Sequence, residues 1–323
     1  MKPKMLLFGG FSWSATSPLV YTLQRNAKYA HFGYTKQFKY LGPSGRSASS
    51  RNISDIYERV RNGTWENYMS DEPGTHRMNL TVDLEPLRDF SVTHFTKLMD
   101  GDHTISKYMD FYHALHDHVI TKGYKSVGDC YMGYKTERED FREFYDTLKS
   151  EFDVKVLLIA RDPIRRAFSQ YLYTKLKDKV WRTENNTPQP FFVKNYEVYP
   201  IPVSYGYMKQ IDKIQSIFDD VHVTVMEELW EGDAKKELSE FLDHPVTDLW
   251  KNLYSPDKGH LVEYDEDVPC QAFGQELEEL TTDKYNTYKE QYTYPYDTWR
   301  RRYGSLPMQW GEPLEYKFDY WHI

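Results

Sequence analysis

The chain has 323 residues, enough for one large α/β domain or two small ones. It carries 41 basic against 49 acidic residues, a net charge of −8, which argues against nonspecific nucleic-acid binding as its main task because that needs a broad basic footprint. Cys130 and Cys270 are its only cysteines and form no disulfide framework, and no apolar run approaches the ~18 residues of a membrane span, so the expected setting is reducing and cytoplasmic, with no membrane partner.

Residues 4 to 9 are an apolar run that predicts a first buried strand. Gly9 and Gly10 open a turn, Phe11 to Ala15 make a loop, and Thr16 to Asn26 read as a helix with Pro18 in its first turn, where proline is tolerated. A strand, a glycine turn and a helix start in that order present backbone N–H groups to an anion. As a Walker A loop the segment fails. In the register Gly10 to Ser17, Ala15 stands for the second glycine and Thr16 for the lysine, which argues against an ordinary ATPase or GTPase.

His31 to Tyr34 is a plausible second strand, followed by Thr35-Lys36-Gln37-Phe38. Residues 42 to about 104 are polar, with turn signals at Gly42-Pro43 and Pro73-Gly74, and read as an insertion. Ser106 to Thr121 reads as a helix that sets His113 and His116 on one face. No further ligand at metal-site spacing accompanies them, so ordinary helix histidines are the better reading. Tyr124 to Asp129 predicts another strand, and Glu137 to Glu151 a helix.

Val154 to Ala160 is β-branched and apolar, as a strand buried on both faces should be. Asp162 then offers an N-cap oxygen and Pro163 sits at the first helical position, in a helix expected to run through Tyr173. Arg161 therefore falls at the carboxyl end of a strand, where open α/β sheets bind ligands. Ser169 follows about two helical turns on. A guanidinium and a short hydroxyl donor suit a phosphate dianion. Beyond a proline-containing loop at 174 to 203, Tyr205 to Phe218 reads as a helix, Val221 to Met226 as a strand and Asp233 to Leu242 as a helix. Glu276 to Tyr292 reads as a charged helix, and Trp299 to Ile323 as an aromatic tail with no assigned role.

The spacing Arg161-Asp162-Pro163-x-x-Arg166-Ala167-x-Ser169-x-Tyr171 resembles the 3′-phosphate-binding segment of the sulfotransferases that use 3′-phosphoadenosine-5′-phosphosulfate (PAPS). The resemblance spans roughly residues 4 to 41 and 106 to 260, in the order the family requires. It implies that the first loop, Ser12 followed by Trp13-Ser14-Ala15-Thr16-Ser17, holds the 5′-phosphosulfate. Trp13 stands where the family has a lysine. Lys36 matches the lysine of the Lys-Glu-x-x-x-Phe segment of carbohydrate-type members, but Gln37 replaces the glutamate base and cannot accept a proton at useful pH. Gly128, Asp129 and Tyr134 match Gly-Glu-x-Ser-Pro-x-Tyr, which offers Asp129 as a substitute base. Lys258 and Gly259 match a late Lys-Gly segment that touches the 3′-phosphate and adenine.

The resemblance thus implies a single α/β domain over 1–323, with a parallel central sheet flanked by helices, in the P-loop nucleotide-kinase-like sulfotransferase fold. The 42–104 insertion and a divergent C-terminal extension from about 271 lie outside its match. The implied activity is sulfuryl transfer from PAPS to a hydroxyl or amine acceptor, a carbohydrate by type, leaving 3′-phosphoadenosine-5′-phosphate (PAP) and needing no metal and no nucleic acid. Two rivals stand beside it. One is a catalytically silent PAPS- or PAP-binding protein, favoured by Trp13 and Gln37. The other is a nucleotide kinase-like enzyme, which would need the missing Walker lysine.

Overall fold

The computed structural model describes residues 2–10, 16–33, 62, 85–90, 92–99, 104–130, 139–166, 208, 211–231, 233–247, 282–291, 293–307 and 310–312. Its centre is a five-stranded sheet of β1 (Lys4–Gly10), β2 (Ala30–His31), β3 (Ser126–Asp129), β4 (Asp153–Ala160) and β5 (Val221–Val225). The order is β2-β3-β1-β4-β5 and every pairing is parallel. From β1 the chain runs to the edge strand β2, returns to β3 beside β1, and then crosses to β4 and β5 on the other side. A topological switch point therefore lies at the carboxyl ends of β1 and β4, where open sheets of this kind take their ligands.

Alternation along the strands explains the two cores. Met5, Leu7, Val127, Val156, Leu158 and Ala160 point to one face, and Leu6, Phe8, Leu157 and Ile159 to the other. The first face is covered by α3 (Ile105–Ile120) and α4 (Glu139–Glu151), which bury Tyr108, Phe111, Tyr112, Leu115, Phe144 and Leu148. The second is covered by α1 (Thr16–Tyr21), which continues as a π-helical turn over Thr22–Asn26, and by α5 (Met226–Glu231) and α6 (Ala234–Leu242). The preferred architecture of a parallel sheet with helices on both faces is present, as the sequence implied.

Several elements differ from the sequence reading. The second strand is Ala30–His31, because its pairing with Ser126 and Val127 sets where it lies, and Gly33 turns the chain away at φ +69°. Within the 42–104 stretch, α2 (Val92–Met99) and the preceding turn send Leu87, Phe90 and Leu98 into the first core. The expected short helix over Ile53 to Val60 lies outside the described residues. Near the end of the chain, α7 (Thr282–Gln291) is followed by α8 (Thr293–Tyr303), which the sequence reading did not assign as a helix and whose last residues, from Trp299, it placed in the tail. Pro295 falls in its first turn, where the missing N–H is no loss. Tyr285, Tyr296, Trp299 and Trp310 pack into the first core.

Helix α3 begins at Thr104, whose hydroxyl accepts from the Lys107 N–H at 3.3 Å. His113 pairs with Glu151 at 3.2 Å and His118 donates to the Pro86 carbonyl at 2.7 Å, so both serve packing between elements. Among the described residues, no group of three or more His, Cys, Asp or Glu is placed to hold a metal ion. None of the described helices is long and apolar enough to cross a membrane.

Candidate functional site

Among the described residues, the turn after β4 is tied by many hydrogen bonds. Asp162 caps the following helical turn as its sequence predicts: Oδ1 accepts the N–H groups of Ile164 and Arg165, each at 3.0 Å. Its other oxygen faces the end of the chain. Oδ2 accepts from the Tyr285 hydroxyl at 2.8 Å, the Tyr296 hydroxyl at 3.1 Å and the Gly311 N–H at 3.2 Å. The Asp162 N–H donates to Glu227 Oε1 at 3.1 Å, and Glu227 Oε2 accepts from the Trp310 indole at 3.0 Å. Arg165 donates to the Glu312 carbonyl at 3.2 Å.

Arg161, next to Asp162, is almost wholly out of solvent, at 1% exposure. Asp162 faces α7 and α8 through its bonds to Tyr285 and Tyr296. Burial raises the Glu227 carboxyl above its usual range, the charge of Asp162 adds to the rise, and Arg161 offsets part of it. Burial also pushes the Tyr285 and Tyr296 phenols upward, with the Asp162 carboxylate as the next cause, so both hydroxyls keep their protons and remain donors.

The second polar feature is Asp129, at the carboxyl end of β3 and 6% exposed. Its Oδ2 accepts from the Tyr108 hydroxyl at 2.6 Å. Its Oδ1 is buried and meets no hydrogen-bond donor among the described residues. Burial raises its carboxyl from the ordinary value of 3.8 to about 6, against the opposing effect of the Tyr108 hydrogen bond. Gly128 is required beside it, since a Cβ there would lie 2.6 Å from the Phe32 ring.

Asp129 lies level with Leu7, whereas β1 continues to Gly10. The sheet edge is therefore stepped, with Asp129 at the foot of the step. Leu7 is also level with Val156, five positions before Arg161, which puts Arg161 about 16 Å further along the strand direction. The two residues share the carboxyl edge of the sheet at different heights.

The pairing of Gly10 with Ile159 brings the end of β1, which leads into α1, beside the end of β4, which leads into Arg161. Thr16 and Ser17 open α1, with backbone alone described. Ser12, Trp13, Ser14, Ala15, Lys36, Ser169, Lys258 and Gly259 lie outside the described residues. Sequence reasoning missed Glu227, Tyr285, Tyr296 and Trp310. Glu227 left a signal, an acid directly after a strand, but nothing local distinguished the others.

No family model and no curated protein matches the chain. Among solved structures it is similar to retinol dehydratase in complex with androsterone and the inactive cofactor PAP, at 11% identity and a TM-score of 0.33 over 75% of this chain. The match covers 60% of that protein's chain.

Proposed function

We propose that this chain binds PAPS and transfers its sulfuryl group to a hydroxyl or amine, on a carbohydrate by the likeness of the Lys36 segment. One observation carries the reading. The two motifs expected to grip opposite ends of a bisphosphate nucleotide follow neighbouring, in-register strands, β1 and β4, at the switch point of the sheet.

The donor set fits such a ligand. Arg161 offers a buried guanidinium at the rim, where a 3′-phosphate would meet a bidentate donor in a low-dielectric setting. Ser169 would add a hydroxyl to the same phosphate, and Lys258 and Gly259 would approach it and the adenine. The backbone N–H groups at the start of α1, with Ser12 to Ser17, would hold the 5′ end, and Lys36 would offset charge there. PAPS supplies the sulfuryl group and leaves as PAP.

Asp129 would take the acceptor's proton. A carboxyl raised to about 6 is mostly ionised at neutral pH yet basic enough to be an effective acceptor. Its unsatisfied Oδ1 is the atom to which that proton would go. The contacts at Arg161 act far from the reacting atoms, so they serve to fix the donor in line with the acceptor.

A second reading, a PAPS- or PAP-binding protein without turnover, is favoured by Trp13 and Gln37 at the positions of the family's lysine and glutamate. A thermal-melt titration tests binding: PAP at ~100 times its dissociation constant should add about 2.7 kcal/mol of stability. ADP, which lacks the 3′-phosphate, should add far less. Turnover of labelled PAPS over a panel of hydroxyl and amine acceptors then separates enzyme from silent binder. Equal responses to PAP and ADP would remove the 3′-phosphate site, and the sulfotransferase reading with it.

A further inference from the structure

We infer that α7, α8 and residues 310–312 form a clamp that aims Arg161, with Tyr285 and Tyr296 as positioning residues acting through Asp162. The inference rests on the reading of Arg161 as the anion-binding group and deepens it.

Asp162 is held from both ends. Its carboxylate takes the Tyr285, Tyr296 and Gly311 donors, and its N–H reaches the segment through Glu227, whose other oxygen holds the Trp310 indole. A third tie joins Arg165 to the Glu312 carbonyl. The Tyr285, Tyr296 and Gly311 donors come from 123 to 149 residues further along the chain, so the clamp is tertiary and not part of the local cap. Arg161 and Asp162 share a peptide plane, which is rigid. Strand β4, paired through Ala160 to Val225, holds the chain before Arg161, and the clamp holds the peptide plane after it, so together they set the direction in which the Arg161 Cα–Cβ bond leaves the chain.

The geometry of the clamp is specific. Tyr285 and Tyr296 approach each other at 3.3 Å between hydroxyl oxygens while both serve the carboxylate. Gly311 adopts φ +79°, a conformation that costs any other residue, in order to present its N–H there. Oδ1 serves the helical cap, with the Tyr296 hydroxyl also within 3.3 Å of it, and Oδ2 takes the clamp's shorter bonds. Removing the two phenol hydroxyls should loosen the turn without deleting the cap.

The test is hydrogen exchange on the full-length protein, as wild type, Tyr285→Phe, Tyr296→Phe and the double variant, paired with PAP and ADP titrations. In the double variant the Ile164 and Arg165 amides should exchange about tenfold faster or more, the scale of a hydrogen bond to a charged group, while Leu157 to Ile159 in β4 keep wild-type protection. PAP affinity should fall by a similar factor and ADP affinity should not, so the ratio of the two falls. Unchanged exchange at Ile164 and Arg165 overturns the clamp. Faster exchange with an unchanged PAP-to-ADP ratio overturns its role in aiming Arg161. Wild-type protein that does not bind PAP removes both the proposed function and the aiming role, and the exchange result still decides whether the clamp exists. Should the double variant not fold, Tyr296→Phe alone carries the same measurements.

Discussion

Replacing Asp129 by asparagine tests the buried base directly. The aspartate carboxyl titrates at about 6 in the folded protein against an ordinary 3.8, chiefly because burial disfavours its charged form. The folded state thus holds this proton more tightly than the unfolded state. Stability from that difference is fully present below pH ~4 and is lost as the pH rises through about 6. Above that, keeping the carboxylate ionised in the core costs roughly 3 kcal/mol, from about two pKa steps of 1.36 kcal/mol each. Asparagine has the same shape, carries no charge and can accept the Tyr108 hydroxyl through its amide oxygen. The stability gap between Asp129→Asn and wild type should therefore widen in the variant's favour by roughly 2 to 3 kcal/mol between pH 4 and pH 8. For a chain of 323 residues that is about 4 °C in melting temperature, readable by calorimetry at the two pH values. If Asp129 is also the base, turnover should fall ~10²- to 10⁴-fold in the same variant. A gap that stays constant with pH would refute the reasoning, since the carboxyl would then not be held up by burial.

Four further outcomes are expected. Arg161→Ala should lower PAP affinity about tenfold or more, the loss expected for a charged donor to a dianion, by calorimetric titration. Trp13→Lys should raise turnover of labelled PAPS if the missing loop lysine limits the chemistry, and unchanged turnover would remove that explanation. Gly128→Ala should destabilise the protein by about 1 to 3 kcal/mol in urea unfolding, because the new Cβ would meet Phe32 ring atoms at 2.6 to 2.9 Å, and Phe32→Leu should recover part of the loss. Asp243→Gly should stabilise by up to about 1 kcal/mol, since Asp243 is exposed and ends α6 at φ +50°, a conformation glycine adopts freely.

What the sequence displayed was what neighbouring residues decide. The strands at 4–10 and 153–160 are legible because a doubly buried parallel strand must be a short aliphatic run. The cap at Asp162 is legible because an aspartate before proline specifies it locally, and its Oδ1 does bond Ile164 and Arg165. Oδ2 of the same residue is the counterexample. Its partners Tyr285 and Tyr296 are two of 28 tyrosines, and no local pattern separates them from the rest. The polar composition of 42–104 likewise concealed Leu87, Phe90 and Leu98, which matter by where they land and not by their neighbours. Asp129 falls between these cases: its place at a strand end was readable, but its raised carboxyl depends on burial and on Tyr108 from another element.

The stepped edge also constrains how a ligand can lie. Arg161 beyond the end of β4 and Asp129 at the foot of the step carry opposite charges, about 16 Å apart along the strands. A molecule reaching from one to the other must cross the carboxyl end of β1, where residues 11–15 connect to α1. Its most anionic end belongs at Arg161, because the same charge beside Asp129 would repel a carboxylate that is already costly to ionise. The Asp129 end instead suits a neutral group with a proton to give. The polarity of the edge therefore favours one direction of binding, with the phosphate dianion outward and the acceptor hydroxyl or amine inward. Under the proposed function, a bisphosphate nucleotide would set its remote phosphate at Arg161, since its reacting end would then approach the carboxylate proposed to take the proton.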